Sequence, residues 1–390
     1  MEELLSEKGR LHKKRKMKNM KNRSRFILFL GLVLISLGLI HKCARIENRL
    51  NATFLGHRQN DPIHSQHVSS SLEINNPDFR IESRGGSNLL VNTQDFNAAP
   101  RDEQDIPFFW VIPKSGTSSI KSILAKCLHL RMASSTKAID YEEEAKKGKI
   151  RVIDNESQQG GRFVNVDFGY LTGIHQAKQW KMASSGVVDV AVSSYLHEAV
   201  DTFTTSNSAR VFTIFRHPVQ RMVSDFYYQQ IATWEKTYQV ESKPTSLLDY
   251  AMDGRYHVDN WVTRQIANVH SGPVTDEDYE YAKEFIHTKV LVLFLDEIDD
   301  SIERLLTYMN WKKFLDEKDI NTETGKYNCL DAFMHNTPSN QNPHSKIEEG
   351  SEEWVALEKI NYYDIKLYSF SLELFHGEQK EFIDSTRKLT

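Results

Sequence analysis

Strand-like and helix-like segments alternate from Phe108 to Trp311, and the alternation predicts an α/β protein: a mostly parallel sheet covered by helices on both faces. Two further observations position that domain in the chain. Residues 1–42 have the charge and hydropathy of a tail and membrane span rather than of a core. The stretch 107–127 passes from an apolar run through a tight polar turn into helical periodicity. With 390 residues, 39% hydrophobic and 11% aromatic, the chain can bury a sizeable core.

Residues 1–25 carry Lys8, Arg10, Lys13, Lys14, Arg15, Lys16, Lys18, Lys21, Arg23 and Arg25 against Glu2, Glu3 and Glu7, a local charge of +7. Of the 49 basic and 53 acidic residues this leaves 39 and 50, so the rest of the chain carries −11. Between the two parts lies an uncharged run from Phe26 to Ile40, followed by His41 and Lys42. As a helix rising about 1.5 Å per residue it spans roughly 22 Å, short of a core of about 30 Å, but flanking cations can snorkel and a thin early-secretory membrane suits it. Residues 26–42 therefore read as an uncleaved signal anchor. A signal peptide cut after Ala44 would place Lys42 where a small residue is wanted. The basic excess before the span keeps residues 1–25 cytosolic and sends the remainder into the lumen, a single-pass type II arrangement.

Lumenal placement makes Asn51 (Asn51-Ala52-Thr53) and Asn155 (Asn155-Glu156-Ser157) candidate glycosylation sites. Cys43, Cys127 and Cys329 leave room for one disulfide in an oxidising compartment. Cys43 at the membrane surface suits pairing between chains or acylation, and Cys127 and Cys329 equally suit buried free thiols. No spacing resembles a metal cage. Residues 43–105 are polar with scattered leucines and no sustained period, a weakly ordered stem, and the lumenal domain is expected over 106–390.

Within that domain, Phe108–Ile112 reads as a strand broken by Pro113, with helical periodicity from Ile120 through Ile123 and Leu124. Tyr141–Lys149 is a short solvated helix or loop, Arg162–Phe168 and Val187–Val192 are strand-like, and Tyr195–Phe203 is helical. Arg210–Phe215 is a strand feeding a helix from Val219 to Ile231. Helices follow over Ser246–Met252, Val258–Val269 and Asp276–His287, then a buried strand at Lys289–Leu295 and a helix over Ile298–Trp311. A polar stretch, Glu317–Gly350, precedes one closing amphipathic helix, Glu352–Phe375.

Two turns carry the chemistry. In the first, Lys114, Ser115, Gly116, Thr117, Ser118 and Ser119 place a cation, hydroxyls, backbone N–H groups and the positive end of a helix dipole at one spot, which suits a phosphate. Here the lysine precedes the glycine, whereas G-x-x-x-x-G-K-[ST] places it after the glycines. In the second, an apolar strand delivers Arg216, Pro218 opens a helix, and Ser224 lies two turns on. A planar guanidinium and a hydroxyl again fit a phosphate.

Pro113-Lys114-Ser115-Gly116-Thr117-Ser118-Ser119 resembles the loop with which sulfotransferases hold the 5′-phosphosulfate of 3′-phosphoadenylyl sulfate (PAPS). Arg216-His217-Pro218 with Arg221 and Ser224 resembles their 3′-phosphate site. The stretch Asn361–Phe375 is similar to the closing helix of membrane-bound Golgi carbohydrate sulfotransferases. Gly161–Asp167, Tyr195–Ala199 and Asp259–Arg264 resemble algal, diatom-like members of the heparan sulfate 2-O-sulfotransferase-type family. The likeness covers about residues 107–376 and departs at His217, where many relatives have Asp.

This resemblance implies a P-loop-like sulfotransferase fold and PAPS-dependent sulfation of a carbohydrate hydroxyl, with PAPS as donor and no metal. Lys114, Ser115, Gly116, Thr117, Ser118, Ser119, Arg216 and Ser224 would bind the donor, and Ser345 and Lys346 fall where relatives cover the nucleotide. Sulfuryl transfer needs in-line placement, charge stabilisation and a base. Lys114 supplies charge. The family places a histidine ahead of its second-motif arginine at close to the nineteen residues separating His197 from Arg216, whereas His175 lies forty-one before it. His197 is thus the expected base, with Glu198 as orienter or substitute. Asn260, Thr263 and Arg264 share a helix face that could reach donor or acceptor, or could be solvated. Trp234 and Tyr238, four apart, suit core packing or an acceptor platform. The expected partners are a carbohydrate acceptor and the Golgi membrane, with no nucleic acid; a homo-oligomer is compatible with the sequence. A charge of −11 argues against a heavily sulfated polyanion as acceptor.

Three rivals are weaker. A P-loop kinase would explain Val290–Glu297 as a Walker B strand, but without G-K-[ST] magnesium has no seat. A lumenal glycosyltransferase would use Asp276-Glu277-Asp278, yet helix starts attract carboxylates anyway. An anchored, non-catalytic glycan-binding protein has no need of two phosphate sites.

Overall fold

A computed structural model describes residues 88–387, apart from 99–103, 138, 155–160, 234–242 and 337–346. The span 26–42, Asn51, Asn155, Trp234, Tyr238, Ser345 and Lys346 lie outside the described residues. No helix among the described ones is long and apolar enough to cross a membrane.

In chain order the elements are β1 (Ile106–Trp110), α1 (Thr117–Ser122, running on as a wider π turn over Ile123–Cys127), β2 (Arg131–Ala133), α2 (Tyr141–Ala145), β3 (Val152–Asp154), β4 (Arg162–Val164) and α3 (Leu171–Gln179). Then come β5 (Val190–Ser193), α4 (Leu196–Val200), β6 (Ala209–Phe215), α5 (Pro218–Ile231), α6 (Leu247–Met252), α7 (Trp261–Ala267), α8 (Asp276–Lys289) and β7 (Val290–Phe294). The chain closes with α9 (Ile298–Tyr308), α10 (Asn328–Asp331), α11 (Glu352–Ile360), α12 (Tyr362–His376) and α13 (Glu378–Arg387).

The seven strands form one sheet in the order β3-β4-β2-β5-β1-β6-β7, parallel throughout except for the β3–β4 pair. Successive side chains of a strand point to opposite faces, so β1 sends Phe108 and Trp110 into one layer and Phe109 into the other. The first layer is filled by α3, α4, α7, α8 and α12, the second by α1, α9, α10 and α13. A third cluster joins Val219, Met222 and Phe226 of α5 to Tyr250 of α6 and to Trp354 and Leu357 of α11. The expected α/β class with a mostly parallel, doubly covered sheet is what the chain adopts.

Several boundaries differ from expectation. Order does not begin at Ile106: Leu89 is fully buried, Thr93 bridges Ala209, and Phe96 stacks on Tyr308 with centroids 5.0 Å apart, so residues 88–98 of the supposed stem belong to the core. The single closing helix expected over Glu352–Phe375 is two helices, α11 and α12, and α13 follows it. The break falls at Asn361, whose side-chain amide donates to the Leu357 carbonyl at 2.9 Å. The polar stretch from Glu317 contains α10, which a disulfide between Cys127 and Cys329, Cα atoms 5.7 Å apart, ties to the end of the π turn after α1. The strand expected over Arg162–Phe168 stops at Val164.

Candidate active site

β1 and β6 lie side by side, Phe108 opposite Val211 and Phe109 opposite Phe212, and both end at the same edge of the sheet. The turn after β1 is tight because two of its residues take left-handed backbone: Lys114 at φ 67° and Gly116 at φ 82°, the latter opening α1. The positive φ at Gly116 favours glycine, and a Cβ there would also press on Leu295 Cδ1, 2.7 Å away. Lys114 is a bulky residue held where few such residues sit, a sign of local strain. No side chain caps α1.

The two turns meet. Arg216 Nη1 donates to the Lys114 carbonyl at 3.2 Å, and the Lys114 ammonium sits 3.5 Å over the centroid of the Tyr228 ring on α5. The Ser115 hydroxyl is fully buried with no hydrogen-bond partner among the described residues. Thr117 Oγ1 donates to the Ile112 carbonyl at 3.4 Å, Ser118 is half-buried and Ser119 is buried. Burial pushes the Arg216 guanidinium below its usual range, with Asp296 at the end of β7 opposing the shift. A cation desolvated in this way gains from a nearby anion. Ser224 lies half-buried two turns into α5.

His217 fills an aromatic slot: its ring stacks on Trp354 at 5.2 Å and meets Tyr368 edge-on at 5.3 Å. Burial pushes its pKa down, and its Nδ1 is buried without a partner among the described residues. Arg221, the other arginine of this motif, is a core residue 3.9 Å from Asp364.

The helices that follow the adjacent strands β1 and β5 pack on opposite faces, α1 with Phe109 and α4 with Phe108. In open α/β sheets the ligand crevice lies at such a divergence, outside the carboxyl edge. His197 and Glu198 sit on α4 beside it, both half-buried. His197 Nε2 lies 2.9 Å from the Gln265 carbonyl and 3.1 Å from that of Ile266, at the end of α7. Facing two acceptors, Nε2 carries the hydrogen, so any proton the ring accepts goes to Nδ1. Burial pushes the ring's pKa down, Glu198 pulling the other way. His175 is exposed on α3.

Asn260, Thr263 and Arg264 are not on an open or solvated face. All three are buried; Asn260 and Thr263 join α7 to α12, while Arg264 turns back on Asp259 and the Val269 carbonyl. Asp364 accepts from Val262 N at 3.0 Å and from both Thr263 N and Oγ1 at 2.9 Å. Asn260 Oδ1 accepts from Tyr363 N at 2.8 Å, and Arg264 pairs with Asp259 at 2.9 Å. The two helix starts answer each other: Asn260 accepts the Tyr363 and Asp364 N–H groups of α12, and Asp364 accepts those of Val262 and Thr263 on α7. Asp278, of the acidic triplet, completes a capping box with Thr275 at the start of α8.

Sequence reasoning missed Tyr228 and Asp296. Tyr228 was within reach, since it follows Ser224 by four on the same helix face; Asp296 reaches Arg216 only through the pairing of β6 with β7. No family model matches this chain, and no curated protein does either.

Proposed function

We propose that the chain is a PAPS-dependent carbohydrate O-sulfotransferase of the P-loop-like sulfotransferase fold, anchored as a type II protein with its large domain in the Golgi lumen. The observation that carries this reading is the direct hydrogen bond between the two anion-ready turns, Arg216 to the Lys114 carbonyl. It brings a lysine turn and an arginine turn together at a sheet edge, as a donor with phosphates at both ends requires. The Cys127–Cys329 disulfide supports an oxidising compartment.

In the reaction the acceptor hydroxyl oxygen forms a bond to sulfur while the bond from sulfur to the bridging phosphate oxygen breaks. PAP leaves with that electron pair, and the hydroxyl proton passes to a base. Lys114, drawn off the Tyr228 ring, offsets charge growing on the leaving oxygen, and the N–H groups of α1 share the load. Arg216 and Ser224 hold the second phosphate. The proton goes to the β5–α4 turn, where His197 Nδ1 and the Glu198 carboxylate are the two acceptors.

The test is incubation of the purified protein with sulfur-labelled PAPS, or with a labelled nucleotide sugar, and a panel of glycans. Label transferred from PAPS alone supports the reading; transfer from the nucleotide sugar alone overturns it.

A further inference from the structure

α1 has a second polar group one turn beyond the Lys114 loop. Lys121 reaches across the carboxyl edge and donates from Nζ to the Ser135 carbonyl at 3.0 Å. Ser135 in turn bonds through its side chain to Asp167, whose Oδ1 also accepts the Gly169 N–H at 3.3 Å. Lys121 and Asp167 thus converge on one residue from opposite sides, both half-buried.

The turn bearing Asp167 is built to hold still. A Cβ at Gly169 would lie 2.7 Å from Ser135 Cβ, and one at Gly173 would lie 2.0 Å from the Asp167 carbonyl oxygen, so α3 rests directly on the turn's backbone. Tyr170 N donates to that same carbonyl at 3.1 Å, which fixes the base of a side chain that is 50% exposed. Across the crevice, Tyr195 opens α4 close enough for Tyr170 and Glu198 to add to the burial that pushes its hydroxyl up. A rigid turn, an opposed cation and anion and an exposed aromatic face are the groups that recognise a sugar: a carboxylate for hydroxyl donors, an ammonium for hydroxyl lone pairs, a ring for the apolar sugar face.

We propose that Lys121, Asp167 and Tyr170 form the acceptor subsite, and that it takes an uncharged, hydroxyl-rich sugar ring. The inference rests on the sulfotransferase reading. Its location follows from α1, whose first turn belongs to the donor loop and whose next turn carries Lys121. The preference for an uncharged ring follows from balance: a uronate or sulfate able to pair with Lys121 would also meet Asp167. The charge of −11 on residues 26–390 adds repulsion at longer range.

The test uses the whole protein with labelled PAPS and two acceptors, an unsulfated neutral galactan and an unsulfated uronate-containing glycosaminoglycan. PAP affinity is measured alongside by calorimetry. The parent should sulfate the galactan in preference. Asp167→Asn should raise the acceptor KM about ten-fold or more and Tyr170→Ala a few-fold, each leaving PAP affinity and donor KM at the parental value, with Tyr170→Phe close to the parent. Preference for the glycosaminoglycan, failure to sulfate the galactan while PAP binds, or an unchanged acceptor KM in both variants overturns the subsite. Absence of PAP binding in the parent overturns the donor reading itself, and the subsite falls with it.

Discussion

The joined turns after β1 and β6 and the junction of α7 with α12 are both packed with polar side chains that the sequence marks as binding candidates, yet they treat hydrogen bonding in opposite ways. At the junction every candidate is answered. Asp364 accepts three hydrogen bonds from Val262 and Thr263, Asn260 caps the start of α12, and Arg264 has Asp259. At the turns, Ser115 Oγ and His217 Nδ1 are buried and unpartnered, and Arg216 is a desolvated cation that Asp296 only partly offsets. An unmade hydrogen bond in a buried place costs free energy, and a fold that keeps several together keeps them for something that arrives later. For Asn260, Thr263 and Arg264 the comparison separates scaffold from site where residue type and spacing do not, although Arg221 Nε and Asn361 Oδ1 at the junction are also buried and unpartnered among the described residues.

The strongest way to break it is at the scaffold. Asp364 is fully buried with Arg221 beside it, and Asp364→Ala would strand that guanidinium and three donors. We expect a loss of about 3–5 kcal/mol of unfolding free energy, read by denaturant titration, with PAP affinity of the remaining folded protein near parental. An unchanged midpoint would mean that the junction is not structural.

The turns should show the reverse. Lys114→Ala and Arg216→Ala each remove a charge-assisted contact, and each should weaken PAP about ten- to a hundredfold, or about 1.5–3 kcal/mol, with little change in melting temperature. Sulfation should fall further in Lys114→Ala, because its charge acts in the transition state as well. Parental PAP affinity in both variants would remove the basis for assigning the donor site.

How much of this was legible in the sequence depends on how local the cause is. The core strands β1 and β7 are apolar runs and β6 is one but for Arg210 and Thr213, and all three are legible to within a few residues. β2 and β3, three residues each, are too short to show a period, and α3, with Gly173 and mostly polar neighbours, lacks a clear apolar stripe; all three were missed. Lys114 and Arg216 could be found because a strand, a turn and a helix start make an anion site by themselves. For Asn260, Thr263 and Arg264, spacing gave the shared face but not its direction, which α12 decides from a hundred residues away. Cys127 and Cys329, 202 apart, likewise become a pair only through the fold.

A smaller effect sharpens the comparison through pH. Burial pushes His197, His217 and His257 all below their usual range, so the folded protein holds them neutral. Above about pH 6.5 they are neutral in both states and contribute nothing. As pH falls through that value the unfolded chain takes up protons that the fold refuses, and stability drops by up to about 1.4 kcal/mol per pH unit for each ring until its folded pKa is reached. His217→Phe keeps the stacking on Trp354 and Tyr368 and loses no hydrogen bond at Nδ1, so it should flatten the fall between pH 7 and 5 at little cost at pH 7. His197→Phe removes the ring's contacts with two carbonyls and should destabilise already at pH 7. Equal behaviour of the two variants would contradict the distinction between waiting and satisfied groups.

The smallest expected change is the most discriminating. Ser115 sits in the turn between Lys114 and Gly116, fully buried, with a hydroxyl that bonds to nothing within the described residues. Were it scaffold, Ser115→Ala would cost the usual price of a lost hydrogen bond; with none to lose, removing a buried unpartnered hydroxyl should leave the melting temperature unchanged or slightly higher. If the hydroxyl is kept for the donor, the same variant should weaken PAP by a few-fold, about 0.5–1.5 kcal/mol. Thr263→Val at the junction is the matched control: it deletes a hydroxyl that donates to Asp364 at 2.9 Å, so it should lower stability by about 1 kcal/mol or more and leave PAP affinity alone. Two hydroxyl deletions of similar size should thus split, one seen in binding and the other in folding. A Ser115→Ala protein that is less stable but binds PAP at the parental level would place Ser115 with the scaffold and leave the donor site to Lys114 and Arg216.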